Sequence, residues 1–202
     1  MTTVFYTSDL HIGHEKVAAE RFERFFDDPQ DRAQYAGLYV QWHSDHLARR
    51  WDSVVGKGDT VIVLGDISGG SSGAQHEALE WVSRRNGVKH LVTGNHDGPH
   101  AGNRDADKWV REYHEVFASV FPFRRRKIDG RYVMLSHYPY EGDHTPHDRD
   151  VQYRLRDEGL SVLHGHTHST DKGDARQVHI GVDAWDLTPV SQSQVVERLA
   201  LA

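Results

Sequence analysis

Five short apolar runs in this chain each end on side chains that can hold a metal ion. Residues 4–8 lead into Asp9-Leu10-His11, residues 60–64 into Gly65-Asp66, and residues 88–93 into Gly94-Asn95-His96-Asp97. Residues 131–136 lead into His137, and residues 161–163 into His164-Gly165-His166-Thr167-His168. One polar cluster at the end of a strand constrains little. Five constrain the fold, because open α/β sheets bind ligands in the crevice at the carboxyl ends of their strands. A chain that repeats the pattern this often has to bring those ends to one place.

The rest of the pattern supports an α/β fold. Thr60-Val-Ile-Val-Leu64 shows no alternation, so it reads as a strand buried on both faces. A helix is expected over residues 33–55, with Tyr35, Leu38, Trp42, Leu47, Trp51 and Val54 at helical spacing and Gly56 and Gly58 as its stop. A second helix follows the polar loop Gly69 to Gly73, with Ala74, Ala78, Trp81 and Val82 inward and Asn86-Gly87 closing it. A third carries Ala106, Trp109, Val110, Tyr113 and Phe117 on one face, and a fourth lies near residues 195–201. Asp129-Gly130 marks a hairpin between strands 123–128 and 131–136, and residues 177–182 read as a further strand. With no repeat, linker or low-complexity tract, one domain over residues 1–202 is expected.

Composition narrows the chemistry. There is no cysteine, which removes disulfides, thiolate nucleophiles and cysteine-bound zinc, whereas histidine occurs 16 times. The net charge of −6 argues against an extended basic surface for nucleic acid. No apolar run approaches the roughly 20 residues needed to cross a bilayer, and MTTVFYTSDL lacks the form of a signal peptide. A cytoplasmic protein with no membrane and no obligate protein partner is expected.

The five clusters offer carboxylate, imidazole and amide-carbonyl oxygen ligands, a mixture suited to manganese, iron, zinc or similar ions. Pairs at i, i+2, such as Asp9 with His11 and His166 with His168, can aim two side chains at one ion. The glycines before Asp66, Asn95 and His166 allow a sharp turn or a close backbone approach.

In their order, D-x-H, G-D, G-N-H-D, H and G-H-x-H, these blocks resemble the calcineurin-like metallophosphoesterase superfamily, from Asp9 to His168. Gly181-Val182-Asp183-Ala184-Trp185 and Pro189-Val190-Ser191 also look like its small single-domain bacterial and phage members. The resemblance implies two packed mixed β-sheets flanked by helices. It implies two divalent ions, manganese first, with iron, zinc, nickel or cobalt as other candidates. One ion would take Asp9, His11, Asp66 and His168, and the other Asp66, Asn95, His137 and His166, with Asp66 bridging. A bridging water or hydroxide would be the nucleophile. His96 would act as general acid or charge stabiliser, with Asp97 orienting its ring, and Asn95 and His96 would also touch substrate.

Outside the blocks, His14 is a candidate pocket residue. The stretch 138–149, YPYEGDHTPHDR, is a candidate substrate-facing loop with His144 or His147 as contacts. His164 is expected to pack behind the ligands, and His43 and His46 to lie on a solvated helix face. The run Arg124-Arg125-Arg126-Lys127 reads as a solvated edge before it reads as a phosphate clamp. Many relatives carry a polar or acidic residue where this chain has Gly69, so an acidic partner after Asp66 is missing. The expected activity is hydrolysis of small phosphodiesters, such as 2′,3′-cyclic nucleotides. The alternatives are a phosphomonoesterase or protein phosphatase, a nuclease, and a non-catalytic metal-dependent scaffold.

Overall fold

The unbroken apolar run at residues 60–64 has no alternation because both faces of its strand are covered. In the computed structural model, which describes residues 2–25 and 37–201, β2 (Thr60–Val63) is the middle strand of a five-stranded sheet. Parallel to it on either side are β1 (Val4–Thr7) and β3 (Val88–Val92). Beyond β3 lies β4 (Ser119–Phe121), also parallel, and β9 (Val190–Ser191) closes the other edge antiparallel to β1. Val61 and Val63 face the helices α1 (Glu15–Phe25), α2 (Tyr39–Val54), α3 (Ser72–Ser83) and α4 (Ala106–Val116), whose Phe22, Trp51, Val82 and Tyr113 share their core. Ile62 and Leu64 point the other way, into a second core formed with the second sheet. Each Val, Leu or Ile wholly removed from water contributes about 1.5–3 kcal/mol, so β2 anchors both layers.

The second sheet has the order β5 (Arg124–Ile128), β6 (Arg131–Leu135), β7 (Ser161–His164), β8 (Gln177–His179). The hairpin β5–β6 is antiparallel and turns at Asp129 and Gly130, both with positive φ (46° and 80°). β6, β7 and β8 run parallel. Both sheets are therefore mixed. The carboxy-terminal helix α5 (Gln192–Leu199) starts on a capping box between Ser191 and Gln194 and lies against β9, β1 and β8, touching both sheets.

The strands that carry the five clusters are parallel neighbours, β1-β2-β3 in one sheet and β6-β7 in the other. Parallel strands present their carboxyl ends on one edge, and the two edges meet: the His137 ring bonds the Leu64 carbonyl, and the His166 amide bonds Asp9. Some elements differ from expectation. Helix α2 begins at Tyr39, residues 33–36 lie outside the described residues, and Leu38 and Val54 are exposed. Val110 on α4 is exposed as well. The strand expected over 177–182 stops at His179, because Val182–Ala184 form a 3-10 turn. Helix α1 and the short edge strands β4 and β9 were not expected at all. In α1 a charged residue, Arg21, sits fully buried in the inward stripe beside Phe22 and breaks the apolar period.

Candidate metal centre

Three of the five blocks turn sharply at the end of their strands, and the backbone shows it. Asp9, His11, Asp66, His166 and His168 all have positive φ, between 47° and 70°. For residues other than glycine this costs of order 1–3 kcal/mol each, and it persists only where surrounding structure enforces it, commonly at functional sites. Close approach explains one glycine. A Cβ on Gly94 would overlap Asp66 Oδ1, so only glycine lets the loop after β3 lie against the loop after β2.

Asp9, His11, Asp66, His137 and His166 are buried, and their ligand atoms converge. Asp9, His11 and His168 form one group with atoms within 4.8 Å of one another, and Asp9, Asp66 and His137 form another. His11 Nε2 lies 3.0 Å from His168 Nε2 and 3.7 Å from Asp66 Oδ2. His137 Nε2 lies 3.4 Å from Asp66 Oδ2, 3.2 Å from Asn95 Oδ1 and 3.3 Å from His166 Nδ1. All seven residues expected as ligands thus come together.

The donor set fits divalent cations. His11 Nδ1 donates to the Ser68 carbonyl (3.1 Å) and His137 Nδ1 to the Leu64 carbonyl (2.7 Å), so each ring presents Nε2 to the cluster. There these nitrogens meet carboxylates, an amide oxygen and other imidazole nitrogens, an arrangement that calls for a positive centre. Protonation points the same way. Burial holds His11 well below its ordinary value. Burial, with the charge of His137, lowers His166 to about 4, and burial with that of Arg21 lowers His168 to about 3. These rings are neutral near pH 7, the form that binds metal. Burial lifts Asp9 to about 7. Asp66 is buried too, but the charge and hydrogen bond of His137 beside it outweigh that effect and hold it well below the carboxylate range. Burial also opposes charge on His137, yet Asp66 raises it to about 9.

The residues around the cluster correct several expectations. Asp97 does not orient the His96 ring. Its carboxylate accepts the backbone N–H of Asp66 (3.0 Å), Ile67 (3.0 Å) and Gly94 (2.8 Å), which ties two ligand loops together. His96 is fixed instead by its own backbone, its N–H donating to Asp66 Oδ1 at 2.9 Å. His43 is not on a solvated face: it is fully buried, with Nε2 2.9 Å from Arg21 Nη1. Its neighbour His46 is half-buried and packs on Trp42.

A cleft of about 510 Å³ opens beside the cluster, lined by His14, His96, His144 and Arg149 among others. His147 is exposed and does not line it. The Arg124–Lys127 run stays at its sheet, where Arg125 and Lys127 lie over Tyr132. The Gly69–Gly73 loop makes room for rings in place of an acidic partner: a Cβ on Gly69 would come within 3.2 Å of His14, and one on Gly70 within 3.1 Å of His96. His164 packs behind the cluster, its ring stacked on His179.

Three residues near the cluster escaped the sequence. Asp183 lies 3.6 Å from His168 Nδ1 and pairs with Arg21, whose guanidinium also holds the Asp9 carbonyl at 2.8 Å. Asp143 accepts from His166 Nε2 at 3.1 Å. The GVDAW stretch and the polar loop were visible signals, but nothing local paired Asp183 or Asp143 with a particular histidine.

Fold and centre together define a metal-dependent phosphoesterase. Residues 41–185 match the calcineurin-like phosphoesterase superfamily domain, and the chain belongs to that superfamily. The match begins after Asp9 and His11, which only the folded chain brings against Asp66 and His168. The chain is similar to the Gene 66 protein of Mycobacterium phage L5, 47% identical over 196 residues, 92% of this chain and 88% of that protein. To the Gene 66 protein of Mycobacterium phage D29 it is 46% identical over 202 residues, 95% of this chain and 94% of that protein. Its fold resembles the crystal structure of a protein of unknown function from Aquifex aeolicus, with a TM-score of 0.70, 22% identity, and coverage of 98% of this chain and 99% of that one. No helix among the described residues is long and apolar enough to cross a membrane.

Proposed function

We propose that this centre binds two divalent ions, manganese preferred, and hydrolyses small phosphodiesters, with 2′,3′-cyclic nucleotides as the favoured class. The observation that carries the reading is the convergence of seven candidate ligand residues, with Asp9 shared by two close donor groups and Asp66 Oδ2 lying 3.7 Å from His11 Nε2 and 3.4 Å from His137 Nε2. In the proposed assignment one ion takes Asp9, His11, Asp66 and His168, and the other Asp66, Asn95, His137 and His166, with Asp66 shared. Ions held there would acidify a water for attack on phosphorus and neutralise charge on the phosphoryl oxygens. The chain supplies the rest. Asp97 keeps the loops carrying Asp66 and Asn95 in register, and His96 faces the cleft where a leaving oxygen needs a proton. His14 offers a further N–H donor along the wall, since its Nδ1 accepts from the Val17 N–H, while both ring nitrogens of His144 face Arg149.

The preference for a diester rests on charge. Lys16 and Arg149 line the cleft, but Lys16 pairs with Glu20 at 3.9 Å and Arg149 with Asp143 at 3.2 Å. With its cations already partnered, the wall suits the single negative charge of a diester better than the double charge of a monoester. The test uses protein stripped by chelator, metal content measured, then resupplied with manganese. Bis-p-nitrophenyl phosphate should be turned over only after resupply, and faster than p-nitrophenyl phosphate. Full turnover by the stripped protein would end the metal reading, and a faster monoester reaction would make the protein a phosphomonoesterase.

A further inference from the structure

The two outer histidines assigned to the second ion are held in different ways. His137 is fixed by a backbone carbonyl from within the fold, Leu64, at 2.7 Å. His166 is fixed by a side chain: its Nε2 lies 3.1 Å from Oδ2 of Asp143, in the loop that follows β6. A carboxylate only accepts, so Nε2 carries the proton and Nδ1 is left bare. Nδ1 is the nitrogen that faces His137 Nε2, 3.3 Å away, inside the cluster. The opposite tautomer would aim an N–H where a ligand lone pair is needed.

Asp143 is itself firmly placed. Its side chain is fully covered, at 0% exposure. It accepts the backbone N–H of His144 (2.7 Å) and of Arg149 (3.0 Å), together with the guanidinium groups of Arg149 (3.2 Å) and Arg154 (3.3 Å). Arg154 is nearly as covered as its partner and also donates to the Gly142 carbonyl at 2.9 Å, so the loop closes around the carboxylate. Asp143, His144 and His166 also lie close enough to be taken for an ion site of their own. Against that, N–H donors already occupy both oxygens of Asp143, and two guanidinium charges sit where a further cation would be repelled.

We infer that Asp143 is a positioning residue for the metal centre, setting the His166 tautomer so that Nδ1 is available to the second ion, with Arg149 and Arg154 holding the carboxylate in place. Carboxylates behind ligating histidines are commonly worth 10–100-fold in metal affinity or activity. The inference rests on the two-ion reading, but its first readout needs no metal. In chelated protein labelled with nitrogen-15 in histidine, the His166 ring should show a protonated Nε2 and a bare Nδ1. In Asp143→Ala that signal should move to a mixture of tautomers. In a manganese titration, the variant should bind one ion as the wild type does and the other about 10–100-fold more weakly. Asp143→Asn, nearly the same shape, covers the case in which the alanine variant does not fold. Its single oxygen cannot serve every donor, so it should shift the same signal and weaken the same ion. A folded variant with the wild-type tautomer and wild-type affinity for both ions would overturn the inference, as would equal weakening of both ions. A wild-type protein that takes up no divalent ion would instead refute the two-ion reading, and the tautomer measurement would still judge Asp143.

Discussion

His96 is clamped through its backbone and left open at its ring. Its N–H is held by Asp66 Oδ1 and its carbonyl by Gln75 Nε2 at 2.5 Å, while the ring stands edge-on to His11 at a centroid distance of 5.3 Å. Such a ring can serve a substrate atom without giving up a structural bond. If it donates a proton to the departing oxygen, its value depends on how badly that oxygen needs one. General acid catalysis is typically worth about 10²–10⁴ in rate, and a nitrophenolate forgoes most of it. His96→Ala should therefore slow a nucleoside cyclic phosphate by about that factor and a nitrophenyl ester far less, with metal still bound. Equal losses on the two substrates would make His96 a charge stabiliser, and loss of metal would make it structural. The GNHD block made His96 legible in the sequence. It misled about Asp97, because residues adjacent in a tight turn point in different directions.

Between elements, Asp97 does for two loops what a ladder does for two strands. It satisfies three buried N–H groups, two at the end of β2 and one at the end of β3. An unsatisfied buried donor costs about 1–3 kcal/mol, so Asp97→Ala should destabilise the protein by about 3 kcal/mol or more. Urea unfolding measures this, and metal binding should fall with it because Asp66 and Asn95 lose their common support. A variant with the wild-type midpoint and an altered His96 ring would restore the ring-orienting role. Strands β1, β2, β3, β6 and β7 were readable because apolar runs and motif ends mark them. Helix α1 was not, because its inward stripe includes Arg21, whose partner lies far along the chain.

Over the whole molecule, the pair Arg21–Asp183 joins α1 to the turn before β9. Arg21 reaches both oxygens of Asp183, at 3.0 and 2.5 Å, and both side chains are almost fully covered. Burial works against charge on Asp183, but Arg21 outweighs it and brings the carboxyl from 3.8 to about 2. A carboxyl with a lowered pKa in the folded state stabilises it fully above the unfolded value and loses that contribution as pH falls through the folded value. The shift corresponds to about 2 kcal/mol, lost between roughly pH 4 and pH 2. The stability difference between wild type and Asp183→Asn should accordingly shrink across that window and stay level above about pH 5. A difference unchanged down to pH 2 would mean that the pair carries no such linkage. Breaking a buried pair by removing one partner typically costs about 3–5 kcal/mol, which sets the size of the gap expected at neutral pH.

The sequence by itself determined the two-sheet α/β fold, the absence of a cysteine nucleophile and the seven candidate ligand residues that the fold brings together. Motifs such as Asp9-x-His11 or Gly94-Asn95-His96-Asp97 span two to four residues, and geometry over that distance follows from the local chain. Only the tertiary structure decided what stands behind the ligands. Asp143 meets His166 across 23 residues and Arg21 meets Asp183 across 162, and neither pairing leaves a periodic or local trace. His43 shows the same limit, since a polar residue on a helix reads as solvated until a buried arginine from another helix supplies its partner. Spacing along the chain specifies which atoms can bind an ion. Packing between distant segments decides which nitrogen each ring turns toward it.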